Sequence, residues 1–173
     1  MIGLAIHEAG PEASTEVAAL EASSFDVPWS VDAVRALLQD GLTRAWIAAA
    51  GGRPRGAAIL RVVAGEGELL RIVVHPDDRR HGVGRALLRA VLSVAADACP
   101  LGVHLEVRAS NVAARHLYAR QGFVDHGRRR DYYQAPREDA VLMHWRPAAR
   151  PSGADGLDGE NLTPGAENSA LRG

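Results

Sequence analysis

The stretch from Leu69 to Leu88, LLRIVVHPDDRRHGVGRALL, decides the fold and points towards a function. Its first part, Leu69–Val74, is rich in Leu, Ile and Val and predicts a buried strand. A turn follows, because Pro76 cannot continue strand pairing and two Asp residues come directly after it. A basic segment with two glycines, Arg79–Gly84, then leads into a helical pattern that starts at Arg85.

A strand, a basic glycine loop and a helix start together predict an anion-binding site. The N–H groups of a first helical turn have no partner inside the helix, and the helix dipole favours negative charge there. Gly82 and Gly84 let a phosphate approach the backbone, because neither carries a Cβ. Positive charge comes from Arg79, Arg80 and His81. The alternative is a glycine turn with a solvated basic face.

Two other phosphate-binding motifs fit this loop poorly. A dinucleotide-binding fold needs a third glycine near position 87, which is Leu87 in this chain. A Walker loop needs Gly-Lys-Ser or Gly-Lys-Thr, and the chain has no lysine. The pattern Arg79-x-x-Gly82-x-Gly84 after a hydrophobic strand instead resembles the acetyl-CoA signature of the GNAT acetyltransferases.

Composition narrows the class of protein. The chain has 173 residues, which suggests one domain, and a net charge of −1, which gives no reason to expect nucleic-acid or membrane partners. Its one cysteine, Cys99, fits a reducing compartment, and we expect a cytoplasmic protein. The seven histidines are scattered and form no HExxH pattern, so we expect no metal site. The N-terminal residues lack a basic segment followed by an apolar run, and no apolar run reaches about 18–20 residues, so we expect neither a signal peptide nor a membrane-spanning helix.

Hydrophobic periodicity predicts an α/β domain over residues 1–146. The resemblance implies the GNAT fold, which is a mixed, mostly antiparallel sheet of six or seven strands flanked by about four helices. The predicted strands are 3–9, 43–50, 56–64, 69–74, 101–108, 123–125 and 140–145, and the predicted helices are 11–22, 31–39, 85–98 and one ending near 121. Between the last two strands, Arg128–Tyr133 is predicted as a basic, aromatic loop or strand end. Residues 147–173 are rich in Pro, Gly and acids and predict a disordered tail.

A second stretch, Leu105–Phe123 (LEVRASNVAARHLYARQGF), sharpens the resemblance. It is similar to the RimI branch of the GNAT family, the bacterial alanine N-acetyltransferases of ribosomal proteins. Matching strings include Glu106–Asn111, the Leu117-Tyr118 pair before Gly122-Phe123, and the segment Arg130–Tyr133. The similarity runs from about Pro28 to Met143.

The resemblance implies a set of roles. Glu106 would accept a proton and Tyr118 would donate one. Acetyl-CoA would be the acetyl donor, and the acceptor would be a protein N-terminus, ideally the alanine of a small-subunit ribosomal protein. The residues implied in acetyl-CoA binding are Ile72, Val73, Val74, Arg79, Arg80, His81, Gly82, Val83, Gly84, Arg85 and Asn111.

The chemistry of acetyl transfer is compatible with these residue types. The acceptor amine must lose a proton, and a carboxylate can collect it through one water. Glu106 and Tyr118 are separated by a strand end and two helical turns, so we expect both to reach one cleft. A backbone N–H near Val73 or Val74 could stabilise the charge on the thioester oxygen. Structural alternatives remain: Glu106 as an exposed strand residue, Tyr118 as a packing residue and Asn111 as a helix cap.

Three functional hypotheses follow from the sequence. The first is acetylation of protein N-termini, and the second is a GNAT acetyltransferase acting on other N-termini or on small-molecule amines. The third is a non-catalytic module that binds acyl-CoA or a protein partner. The presence of both Glu106 and Tyr118 argues against an inert module.

Overall fold

The computed structural model describes residues 3–148. Within that range the chain forms seven strands and four α-helices around one sheet. The strands are β1 (Ala5–Ala9), β2 (Thr43–Ala50), β3 (Arg53–Val63), β4 (Glu66–Val74), β5 (Gly102–Arg108), β6 (Val124–Gln134) and β7 (Arg137–Trp145). The helices are α1 (Ser14–Ala22), α2 (Val31–Gln39), α3 (Val83–Ala98) and α4 (Val112–Arg120).

The sheet is mixed, as predicted. Its strand order is β1-β2-β3-β4-β5-β7-β6, and every neighbouring pair is antiparallel except β4 and β5. The helix α3 connects these two parallel strands, which is the connection that a parallel pair requires. The parallel pair therefore lies in the middle of the sheet and directly flanks the glycine loop.

Two apolar cores lie on opposite faces of the sheet. Along β2 and β3, alternate residues enter different cores, because successive side chains of a strand point to opposite faces. One core contains α3 and α4 residues such as Leu87 and Tyr118, and we name that side the α3/α4 face. The other contains α1 and α2 residues such as Val17 and Val34, and we name it the α1/α2 face.

The central strands β4 and β5 part soon after they meet. They are paired only from Glu66 to Glu68 on β4 and from Gly102 to His104 on β5. The register between β3 and β4 shifts immediately afterwards, at Leu70, which marks a bulge. A gap therefore opens in the sheet between the second half of β4 and the second half of β5.

Most predicted elements are confirmed, and several of their bounds are corrected. Three strands begin three residues before the predicted start: β3 at Arg53, β4 at Glu66 and β7 at Arg137. The helix α3 begins at Val83 rather than Arg85, and α1 begins at Ser14, after a 3₁₀ turn over Pro11–Ala13. The segment Arg128–Tyr133 is part of the 11-residue strand β6 rather than a loop or the end of a strand. The predicted tail lies outside the described residues, apart from positions 147 and 148. None of the helices in the described part of the chain has the length and apolar character needed to cross a membrane.

Candidate functional site

A cleft of about 1070 Å³ opens beside the glycine loop on the α3/α4 face. Its walls are the end of β4, the loop and first turn of α3, and one side of α4 from Val112 to Gln121. Nine of the eleven residues predicted to bind acetyl-CoA line this cleft: Ile72, Val74, Arg79, Arg80, His81, Gly82, Val83, Gly84 and Arg85. The sequence prediction thus converges on one surface.

The backbone of the loop explains why glycines occupy it. Gly82 is the N-cap of α3 and has a φ of +86°, in the left-handed region that glycine adopts without strain. A Cβ on Gly84 would lie 3.3 Å from Leu117 Cδ2 and 3.5 Å from Val74 Cγ2, so this glycine keeps the cleft open between β4 and α4. The free N–H groups of the first turn of α3 face a basic surface that suits phosphate.

The other two predicted cofactor residues lie outside the cleft wall. Val73 is buried in the core of the α1/α2 face. Asn111 is the N-cap of α4, where its side chain accepts a hydrogen bond from the N–H of Ala114 at 3.1 Å. Asn111 therefore occupies the helix-cap position that was the structural alternative to acetyl-CoA binding.

The backbone of β4 supplies a donor that faces the gap. The N–H of His75 donates to Arg55 O on β3 at 2.9 Å. Since backbone groups alternate along an antiparallel strand, the N–H of Val74 points away from β3 and towards the gap. Val73 and Val74 were the two positions predicted for an oxyanion donor, and the backbone N–H of Val74 is the one that points towards the gap.

Glu106 projects from β5 on the α1/α2 face. Its neighbours Leu105 and Val107 enter the opposite core, so the side chains of β5 alternate between the two faces. The side chain of Glu106 is 20% exposed, and Oε1 lies 2.7 Å from Arg129 Nη1 on β6. A hydrogen bond to Glu106 is also the main reason that the pKa of Tyr132 is raised. The carboxylate is thus held in place by two side chains of the edge strand.

Tyr118 is positioned by the end of α4. The N–H of Gly122 donates to Ala119 O at 3.1 Å, and the N–H of Phe123 donates to Tyr118 O at 3.1 Å, which is a Schellman motif. Its hydrophobic contact is the ring pair of Tyr118 and Phe123, whose centroids are 5.7 Å apart. Burial raises the pKa of Tyr118, so the phenol stays protonated at neutral pH.

Glu106 and Tyr118 therefore lie on opposite faces of the sheet. Within the described residues, Glu106 forms an ion pair with Arg129 and a side-chain hydrogen bond with Tyr132, both on β6. The pKa of Tyr133 is raised mainly by burial and further by the charge of Glu106, and the pKa of Tyr118 is raised mainly by burial and further by Tyr133. Tyr133 therefore lies within electrostatic reach of both residues. The joint action of Glu106 and Tyr118 in one reaction, through the gap between β4 and β5, stays a prediction.

The sequence reasoning missed a cluster on the α1/α2 side of the gap. Arg71 of β4 forms an ion pair with Glu21 of α1, with 3.2 Å between Nε and Oε1. Its guanidinium lies over the rings of Phe25 and Trp29, at 4.7 and 4.2 Å from their centroids. The signal was present, since Arg71 is the only charge within the apolar run 69–74.

A second arginine is held in the same manner on β5. Arg108 pairs with Glu138 at 3.3 Å, and its guanidinium lies 4.1 Å from the centroid of the Tyr133 ring. Stacked arginines with paired carboxylates therefore occur on both strands that border the gap. This arrangement fixes the aromatic rings around it.

Comparison with known proteins identifies the relatives of this chain. Residues 14–123 match the model of the acetyltransferase (GNAT) family. The [ribosomal protein bS18]-alanine N-acetyltransferase of Escherichia coli K12 is 43% identical over 94 residues, which cover 53% of this chain and 64% of the E. coli protein. The match thus spans slightly under two thirds of that relative.

Two further comparisons cover more of the molecule. A Bacillus subtilis protein provisionally named for the same activity is 30% identical over 125 residues, covering 72% of this chain and 83% of that protein. The crystal structure of the E. coli ribosomal-protein-S18-alanine N-acetyltransferase superposes with a TM-score of 0.80 at 30% identity. It covers 87% of this chain and 98% of the E. coli chain.

Proposed function

This chain belongs to the acetyltransferase (GNAT) family, and on that premise we propose that it transfers the acetyl group of acetyl-CoA to the α-amine of a protein N-terminus. The observation that carries the proposal is the gap between β4 and β5. A basic, glycine-bearing cleft adjoins the gap on the α3/α4 face, and Glu106 stands beside it on the α1/α2 face. A thioester in the gap would meet an amine arriving from the opposite side.

The glycine loop is the proposed site for the phosphates of acetyl-CoA. Arg79 and Arg80 supply positive charge, His81 supplies a ring N–H, and the N–H groups at the start of α3 supply further donors. The end of β4, with Ile72 and Val74 on the cleft wall, would lie beside the pantetheine arm. This division leaves the α1/α2 side of the gap for the acceptor.

Glu106 is the proposed proton acceptor. An α-amino group has a pKa of about 7.7–8.0, against about 10.4 for lysine, so an N-terminus supplies far more neutral amine at pH 7. As the amine nitrogen forms its bond to the thioester carbon, its proton would pass to the carboxylate, directly or through water. The N–H of Val74 would stabilise the oxyanion that forms.

Tyr118 is the proposed proton donor. When the bond between carbon and sulfur breaks, CoA leaves as a thiolate that gains from a proton. Burial raises the pKa of this phenol, so it is protonated at neutral pH and can donate a hydrogen bond or its proton to the sulfur. The proton that Glu106 took from the amine then returns through solvent to Tyr118, which leaves the amide product and the CoA thiol and restores both side chains.

The names of the relatives suggest the acceptor. We propose the N-terminal alanine of ribosomal protein bS18, because the E. coli relatives found by sequence and by structure are both named for that alanine. The test is release of CoA thiol from acetyl-CoA with a peptide that begins with alanine. Matched controls are the same peptide already acetylated at its N-terminus, an N-blocked peptide with one lysine, and a small primary amine.

Thiol release with the alanine peptide alone, and a gain of one acetyl group on its N-terminus by mass spectrometry, is the expected result. Release with the small amine alone would contradict the proposed acceptor. Absence of release with all four compounds would contradict acetyltransferase activity itself.

A further inference from the structure

Glu21 is a carboxylate in an apolar core. It lies on α1 with no exposed surface, beside Val17 and Leu20. Burial raises the pKa of Glu21, while Arg71 and the backbone of Trp29 act in the opposite direction. A buried charge destabilises the folded protein unless it is paired, so the position of Glu21 needs an explanation.

Beyond its own helix, Glu21 forms hydrogen bonds with one loop and an ion pair with β4. The loop comprises residues 23–30 and joins α1 to α2. The N–H of Trp29 donates to Glu21 Oε2 at 3.4 Å, and the N–H of Phe25 donates to the backbone O of Glu21 at 2.9 Å. Arg71 completes the cluster from β4, with its guanidinium over both aromatic rings. We name Glu21, Arg71, Phe25 and Trp29 the loop anchor.

The loop anchor holds the loop against the open edge of β4. Ser24 Oγ donates to the carbonyl of Val74 at 3.3 Å, on the same edge that faces the gap. Across the gap, the centroid of the Tyr133 ring lies 4.1 Å from the guanidinium carbon of Arg108 on β5. The loop and Tyr133 therefore flank the gap on its α1/α2 side, one beside β4 and the other beside β5.

We propose that Arg71 is a positioning residue that, through Phe25 and Trp29, fixes the loop 23–30 as one wall of the acceptor site and so sets the affinity for the amine. This inference rests on the proposed function, because it assigns the acceptor to that side of the gap. Arg71 itself transfers no proton and touches no reacting atom in the scheme above.

The chemistry of the anchor supports positioning over stability. Replacing a buried ion pair by neutral groups often costs little stability, so the pair of Glu21 and Arg71 is better explained by a role in orientation. Arginine suits that role because its planar guanidinium stacks on aromatic rings while its edge meets a carboxylate. Lysine keeps the charge and loses the stacking.

The double variant Glu21→Gln/Arg71→Met tests the proposal without leaving a buried charge unpaired. Its matched control is Glu8→Gln/Arg44→Met, an Arg–Glu pair at 2.6 Å that also lies by a tryptophan, Trp46, but at the far edge of the sheet. Two readouts are measured on the full chain. One is the KM for the alanine peptide and for acetyl-CoA, and the other is the rate of chymotrypsin cleavage after Phe25.

We expect the anchor variant to raise the KM for the peptide about tenfold, to leave that for acetyl-CoA unchanged, and to be cleaved faster after Phe25. The control variant should match the wild type in both KM values and in the rate of cleavage after Phe25. Arg71→Lys should resemble the anchor variant, since it cannot stack. Equal KM values for the peptide in variant and wild type, or equal rises for both substrates, would overturn the proposal.

The cleavage readout separates this inference from the proposed function. If the wild type acetylates none of the compounds tested, the proposed function fails. Faster cleavage of the anchor variant would then still support the anchoring of the loop, and an unchanged cleavage rate would overturn it.

Discussion

Replacing Gly82 by alanine tests whether the loop before α3 binds the phosphates of acetyl-CoA. Gly82 has a φ of +86°, and a Cβ at this position would meet only Arg85 Nη2, at 3.8 Å. The substitution therefore adds conformational strain without a steric clash. An L-residue in the left-handed region costs roughly 1–2 kcal/mol.

That strain sets the size of the expected effect. If the loop shifts to relieve it, acetyl-CoA binding loses about the same free energy, which corresponds to a rise in KM of roughly 5- to 30-fold at 1.36 kcal/mol per tenfold. The assay is steady-state thiol release at saturating peptide, with urea unfolding to measure the loss of stability. The KM for the peptide should change little.

Gly41→Ala is the matched control. Gly41 follows α2 with a φ of +73°, and a Cβ there would have no neighbour within 4 Å. It should lose a similar amount of stability and keep the wild-type KM for acetyl-CoA. If the two alanine variants show the same KM, the reasoning that places phosphate at the loop of Gly82 is refuted.

Three other predictions test the site and the sheet. Tyr118→Phe should lower kcat about 100-fold with a melting temperature close to wild type, because the ring contact with Phe123 remains; unchanged turnover would remove its role as the acid. Gly67→Ala should cost about 1–3 kcal/mol in urea unfolding, because its Cβ would lie 2.8 Å from Cys99 Sγ and 3.0 Å from Val103 Cγ2; wild-type stability would show that this contact gives way. The Cys99 thiol, buried and with a raised pKa, should react with a neutral thiol reagent only as the protein unfolds, and rapid reaction of the native protein would contradict that.

Elements with local end signals were predictable from sequence. Ser30 directly precedes the helical pattern of 31–39, where serine favours an N-cap, and its Oγ accepts a hydrogen bond from the N–H of Ala33 at 3.2 Å. Gly122 follows the helix predicted to end near 121, where glycine favours a left-handed helix end, and its φ is +91°. Such signals lie within a few residues of the feature that they determine, so tertiary packing does not override them.

The edge strand and the gap were harder to predict, for different reasons. Most of β6 is exposed, so it lacks the apolar alternation that marks a half-buried strand. The gap depends on where β4 and β5 stop pairing, and the bulge at Leu70 has no distinctive residue. Both features come from pairing between distant segments.

The same distinction applies to the candidate site. The glycine loop is contiguous in sequence, so its charge and backbone freedom could be read directly. Glu21 and Arg71 are far apart in the chain and come together only in the folded protein. Their signal was a single charge within an apolar pattern, which sequence reasoning alone does not connect to a partner. The joint role of Glu106 and Tyr118 stays a prediction, because they begin on opposite faces.

The outer border of the sheet bears on how the protein behaves in concentrated solution. The outermost strand of a sheet has unpaired backbone N–H and C=O groups, and a strand of another copy could form hydrogen bonds with them. Here β6 carries Arg128 and Arg130 along that edge, in addition to Arg129, whose charge is paired with Glu106. Two copies that met along their β6 strands would bring these arginines together. Repulsion between their positive charges would oppose the growth of fibrils.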